Sequence, residues 1–86
     1  MMIKEAQDLI RKAYYDRDKA RGLFPTFAWL VEEVGELAEA ILSGEKKHIE
    51  EELADVFAWL LSVANLLDVD VEKAFIRKYV EKGPPP

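Results

Sequence analysis

The sequence predicts an all-α fold: four helices with a central antiparallel helical hairpin, assembling into an oligomeric helical bundle. Three observations predict it. Only Gly22, Pro25, Gly44 and the closing "GPPP" interrupt an otherwise helix-compatible chain, and no useful stretch alternates apolar and polar residues as a half-buried strand would. The turn at Gly44 is short, which favours antiparallel neighbours. From Leu53 onward, "LADVFAWLLSVANLL" is apolar nearly all round. A helix of that kind is usually covered on several sides, and in a chain of 86 residues this points to a partner subunit.

The elements follow in order. The first helix is expected over residues 3–21, with a stripe of Met2, Ala6, Leu9, Ile10, Ala13 and Tyr14 and with Gly22 as its C-terminal cap. The second is expected from Thr26, an N-cap following Pro25, to Leu42, presenting Phe27, Leu30, Val31, Val34, Leu37, Ala38 and Ile41 as one broad apolar face. The third covers residues 46–67. The fourth is capped by Asp70, runs from Val71 to Lys82 and stops at "GPPP", because proline cannot continue a helix. Residues 82–86 are expected to form a flexible tail to a single domain of residues 1–86.

Composition excludes several classes. Twelve Lys and Arg against seventeen Asp and Glu give a net charge of −5, which disfavours binding to a nucleic acid polymer. There is no Cys, so disulfides and thiolate chemistry are excluded. No apolar run approaches the roughly 18 residues that span a bilayer, so no membrane partner is expected. The N-terminal residues lack the layout of a signal peptide, and a cytoplasmic location is expected.

The acids concentrate between Glu32 and Asp55. Glu32 and Glu39 fall opposite the apolar face of the second helix, whereas Glu33 and Glu36 are neighbours three residues apart, with Trp29 and Ala40 extending their stripe. Glu52 and Asp55 repeat this spacing on the third helix, extended by Trp59 and Ser62. With the turn centred on Gly44, residues whose numbers add to 88 lie at one height. Glu36 is then level with Glu52, and Glu33 with Asp55. Four carboxylates converging between two helices repel one another without a cation. An all-oxygen set suits a hard divalent ion, Mg²⁺ or Mn²⁺. Glu45, Glu50 and Glu51 read as solvated surface. Glu45 and His48 formally match the Glu-x-x-His element of di-iron carboxylate bundles, but the element occurs once and Glu45 lies at the turn, so an exposed His48 is the better reading.

The pattern Glu32-Glu33-x-x-Glu36, fifteen residues, then Glu52-x-x-Asp55, set in "WLVEEVGELAEAI" and "EEELADVFAWLL", resembles the EExxE…ExxD signature of MazG-like nucleotide pyrophosphohydrolases. The resemblance runs from about Thr26 to Lys78. It implies Mg²⁺, with Mn²⁺ as a possible substitute, on Glu33, Glu36, Glu52 and Asp55. It implies hydrolysis of nucleoside triphosphates between the α and β phosphates, clearance of surplus or non-standard nucleotides, and assembly as a homodimer or homotetramer. Glu32 is assigned to orienting the attacking water. Lys78 and Lys82, four apart on one helix face, are assigned to the substrate, although related proteins often carry Asn where Lys82 stands. Arg17 and Arg21 are a second basic pair, and Arg77 lies beside Lys78. Trp29 and Trp59, on the acidic stripes, can line a nucleotide pocket; Tyr14, Tyr15 and Phe24 are weaker candidates. Two other readings stay open. One is a phosphoribosyl-ATP pyrophosphohydrolase. The other is a non-catalytic helical interaction protein.

Overall fold

A computed structural model describes residues 1–86. The chain is all-α. Helix α1 spans Ile3–Arg21, α2 Leu23–Ser43, α3 Lys46–Leu66 and α4 Val71–Phe75, and α4 runs directly into a π-helical segment, Ile76–Glu81. No regular structure follows Glu81. No helix is long and apolar enough to cross a membrane.

Two glycines set the path. Gly22 (φ 102°) separates α1 from α2, and Gly44 (φ 74°) closes α2. Both values lie where an L side chain is strained. The Gly44 N–H donates to the carbonyls of Ala40 and Ile41 and satisfies the end of α2. Asp70 caps α4 as expected, accepting from the Lys73 N–H at 2.9 Å.

The second helix starts three residues earlier than expected. Leu23 and Phe24 precede Pro25, which sits in the first turn, where its missing N–H leaves no helical hydrogen bond unmade. Thr26 is therefore not a cap. It is fully buried and accepts from Arg21 Nη1 at 3.4 Å.

The hairpin of α2 and α3 is the centre of the structure, and its expected register holds. Trp29 and Trp59, whose numbers add to 88, stack with ring centroids 6.1 Å apart and planes at 17°. Thr26 and Ser62, another such pair, are both buried. The face that α2 turns to α3 is the one carrying Thr26, Glu33 and Ala40, not the broad apolar face. Phe27, Val31, Val34 and Ile41 are each about half exposed. On α3, Leu53, Phe57 and Leu60 are similarly exposed, while Leu61–Asn65 are buried.

Helix α1 packs against α3. Its buried residues are Gln7 and Asp18, while Met2, Leu9 and Tyr14 of the expected stripe are exposed. Gln7 Nε2 donates to Asn65 Oδ1 (3.1 Å) and to the Val69 carbonyl (2.7 Å), and Gln7 Oε1 accepts from the Val71 N–H (3.0 Å). Asn65 Nδ2 returns a bond to the Gln7 carbonyl at 3.3 Å. One buried amide pair thus ties α1, the end of α3 and the loop into α4, with its polar groups satisfied. Only nine of the 86 residues are buried, five of them polar, so the chain by itself encloses a very small apolar core.

Candidate functional site

The hairpin register places Glu33, Glu52 and Asp55 together. Each offers a carboxylate oxygen within 4.8 Å of the others. Glu33 and Glu52 are half-buried between the helices, and Asp55 is exposed at the edge. One oxygen of Glu52, Oε2, is buried without a hydrogen-bond partner. Burial pushes the Glu33 carboxyl above its ordinary value, aided by a hydrogen bond to Glu52 and the negative charges of Glu52, Asp55 and Glu36.

This arrangement is unfavourable as it stands. A buried carboxylate oxygen lacking a donor carries the full cost of desolvation, and three acids at this separation resist simultaneous ionisation. A divalent cation bound to oxygen ligands removes both penalties at once. The donor set therefore fits Mg²⁺ or Mn²⁺.

The other predicted residues are placed as follows. Glu36 is half-buried beside the trio, felt by Glu33 through its charge but outside the 4.8 Å group. Glu32 is exposed and also outside it. Trp29 and Trp59 form a stacked pair at the level above Glu33 and Asp55. Lys78 lies on the π-helical segment with Nζ 5.5 Å from the Tyr79 ring centroid, and Lys82 follows that segment. This segment continues α4, and within one chain neither lysine is brought to the trio. Glu45, Glu50 and Glu51 are exposed, as expected.

Sequence reasoning missed two features. His48 is not a free surface residue: its Nε2 lies 3.6 Å from Glu52 Oε1, one turn along α3. The i,i+4 spacing of His48 and Glu52 was the available signal. The second feature is a cavity of about 240 Å³ between α1 and α3, lined by Tyr14, Arg17, Asp18 and Arg21 on one side and by Asp55 and Trp59 on the other. Asp55 thus borders both the trio and the cavity. Arg21 bonds Asp18 Oδ1 at 3.0 Å, and its guanidinium lies over Trp59 at 5.1 Å.

A sequence profile of the MazG nucleotide pyrophosphohydrolase domain matches residues 25–85. The chain belongs to this family. Comparison with individual curated proteins finds no match. The matched segment contains the hairpin, the acidic trio and α4, and leaves α1 outside. As a member of this family the protein is an enzyme, a nucleotide pyrophosphohydrolase. Glu33, Glu36, Glu52 and Asp55 all lie within the matched segment.

Proposed function

We propose that the protein is a Mg²⁺-dependent pyrophosphohydrolase that cleaves ribo- or deoxyribonucleoside triphosphates between the α and β phosphates. The products are a monophosphate and pyrophosphate, and the role is clearance of surplus or modified nucleotides from the cytoplasmic pool. The observation that carries this reading is the convergence of Glu33, Glu52 and Asp55, with a buried Glu52 oxygen lacking a partner.

In this reading Glu33, Glu52 and Asp55 hold the cation, and Glu36 joins them by a change of rotamer. Bound there, Mg²⁺ or Mn²⁺ supplies charge neutralisation of the phosphates and a lowered pKa for a coordinated water. The chain's own groups do the rest. The carboxylates, which repel phosphate themselves, would hold the cation at the mouth of the α1–α3 cavity, and Glu32 or His48 takes up a proton from the water at the cluster edge. The stacked Trp29 and Trp59 give a flat apolar wall against which a base can lie. Phosphoryl transfer needs little more than such positioning and electrostatics.

The same reading includes a homo-oligomer, a dimer or a dimer of dimers. Phe27, Val31, Val34, Ala38 and Ile41 recur at alternating spacings of four and three on α2, as do Leu53, Phe57 and Leu60 on α3. In an antiparallel pair, residues one position beyond the contact stripe point to the same side, so both rows lie on one face of the hairpin. Heptad rows of half-exposed apolar residues match a second copy of the same face.

The test is an assay of pyrophosphate release from canonical and modified nucleoside triphosphates and phosphoribosyl-ATP, with Mg²⁺ or Mn²⁺. Release from nucleoside triphosphates, abolished by Asp55→Asn, is the expected result. Release from phosphoribosyl-ATP alone gives the related activity instead. Activity that survives Asp55→Asn refutes the assignment of the trio. Light scattering tests the assembly, and a monomer refutes it.

A further inference from the structure

We propose that Arg17 and Arg21 of α1 form a clamp for the β and γ phosphates of the substrate, the part that leaves as pyrophosphate. The clamp rests on the pyrophosphohydrolase reading of the trio, but it is built by a helix outside the matched segment, so no family assignment reaches it.

Position comes first. Asp55 belongs to the cation-holding trio and also lines the cavity into which Arg17 and Arg21 face. A phosphate chain held at the trio therefore borders these two arginines. They stand four residues apart, on one face of α1.

Arg21 is a fixed cation. Its Nη1 donates to Asp18 Oδ1 at 3.0 Å and to Thr26 Oγ1 at 3.4 Å, its plane lies over Trp59, and only a quarter of its side chain is exposed. These bonds run through one nitrogen, so the remaining N–H groups of the fork are free to donate. Asp18 is 3% exposed, and its negative charge is spent on holding Arg21 in place. Asp18 is thus a positioning residue.

Arg17 is the complementary case. It lies over the Tyr14 ring at 5.1 Å, is exposed, and forms no ion pair. The cavity holds two arginines against Asp18 and Asp55. With Asp18 committed to Arg21, and Asp55 to the cation, the charge of Arg17 remains uncompensated. An anion with several oxygens completes the site, and two guanidinium forks suit phosphate oxygens better than any neutral group.

The chemistry gives the clamp a catalytic part. Water oxygen forms a bond to the α phosphorus as the bond from that phosphorus to the α–β bridging oxygen breaks. The electron pair stays on the bridging oxygen, which departs with pyrophosphate, and the attacking water gives up a proton. Negative charge grows on the β phosphate, and preorganised donors there lower the barrier.

The experiment compares wild type with Arg17→Ala, Arg17→Lys and Arg21→Ala. It reads turnover, inhibition by inorganic pyrophosphate and by nucleoside monophosphate, and calorimetric binding of pyrophosphate with and without Mg²⁺. Arg17 is exposed, so Arg17→Ala leaves the fold intact and decides the matter even where Arg21→Ala unfolds. Arg17→Ala is expected to lower kcat/KM and to weaken pyrophosphate inhibition, each by about 10- to 100-fold, with monophosphate inhibition unchanged and partial rescue by Arg17→Lys. Unaltered pyrophosphate inhibition, or a loss confined to the monophosphate, overturns the clamp. Absence of all nucleotide hydrolysis by wild type defeats the enzymatic reading separately. Calorimetry still judges the clamp in that case: pyrophosphate binding lost in Arg17→Ala supports it, and equal binding in both proteins refutes it.

Discussion

Two polar clusters lie within the same small helical frame, and they are built on opposite terms. Gln7 and Asn65 are both buried, and their donors and acceptors meet partners across α1, α3 and the loop before α4. Glu33, Glu52 and Asp55 are brought within 4.8 Å of one another, yet one Glu52 oxygen has no donor and Glu33 is driven toward its protonated form. The first cluster is closed and holds helices together. The second is open and stores an unfavourable arrangement that a bound cation would relieve. Complete satisfaction marks a structural network, and its absence at a buried acid marks a site.

The sharpest break of this comparison exchanges the two outcomes. Glu52→Gln is expected to lower kcat by about 100- to 1,000-fold, because a ligand for the cation is lost, while the metal-free protein melts no lower than wild type. A Gln here brings two N–H donors among acids that have none to spare. Steady-state assay and thermal melts in chelator check both halves, and a large drop in melting temperature would count against the distinction.

Asn65→Leu is expected to do the reverse. It leaves Gln7 without one acceptor for Nε2 and leaves the Gln7 carbonyl without its donor, a loss of about 2–3 kcal/mol. For a domain of this size that lowers the melting temperature by roughly 10–20 °C. Activity per folded molecule, measured well below the transition, stays near wild type. If catalysis fell with stability unchanged, the amide pair would belong to the site.

Much of the candidate site's geometry was legible in the sequence because few variables fix it. One glycine turn and a constant helical period determine which residues share a height. The sum rule that levels Glu33 with Asp55 also levels Trp29 with Trp59, which stack. The interior was less legible. Hydrophobic periodicity reports which face of a helix avoids water, not which neighbour covers it. The row from Phe27 to Ile41 is one broad apolar face in the sequence, whereas the hairpin contact uses Thr26, Glu33 and Ala40. Gln7 and Asn65 gave no local signal, since their burial depends on partners 58 residues apart. Pro25 marks a boundary in sequence terms because proline discourages helix before it, but a first-turn proline is tolerated, and α2 begins at Leu23. Arg17 and Arg21 were visible as a pair. Their relation to Asp55 required the packing of α1 on α3.

Gly22 tests the junction between the closed network and the open site. At φ 102° an alanine is strained, although a Cβ there would meet nothing closer than Pro25 Cδ at 3.7 Å. Gly22→Ala is expected to cost about 1–3 kcal/mol from backbone conformation alone, since positive φ with ψ 161° is a region that essentially only glycine adopts. A melt unchanged by the substitution would show that the junction relaxes.

The smallest effect is the most specific to the open cluster. Glu33 has a folded-state pKa raised above its ordinary value of 4.5, so the folded chain holds that proton more tightly than the unfolded chain. The sign follows from linkage. As pH rises from about 4.5 through the raised value, ionisation is resisted more in the folded state, and the contribution of Glu33 to stability falls; above that value the deficit is complete. Glu33→Gln removes the titration. In chelator the variant is expected to melt a few degrees above wild type at neutral pH, and the gap should narrow toward pH 4, where Glu33 is mostly protonated in both states. Saturating Mg²⁺ is expected to close the gap at neutral pH by stabilising wild type, since the cation then supplies the charge that the Gln substitution made unnecessary. A gap of equal size at both pH values would assign the effect to packing, and a lower melt for the variant at neutral pH would show that the three acids are not in conflict.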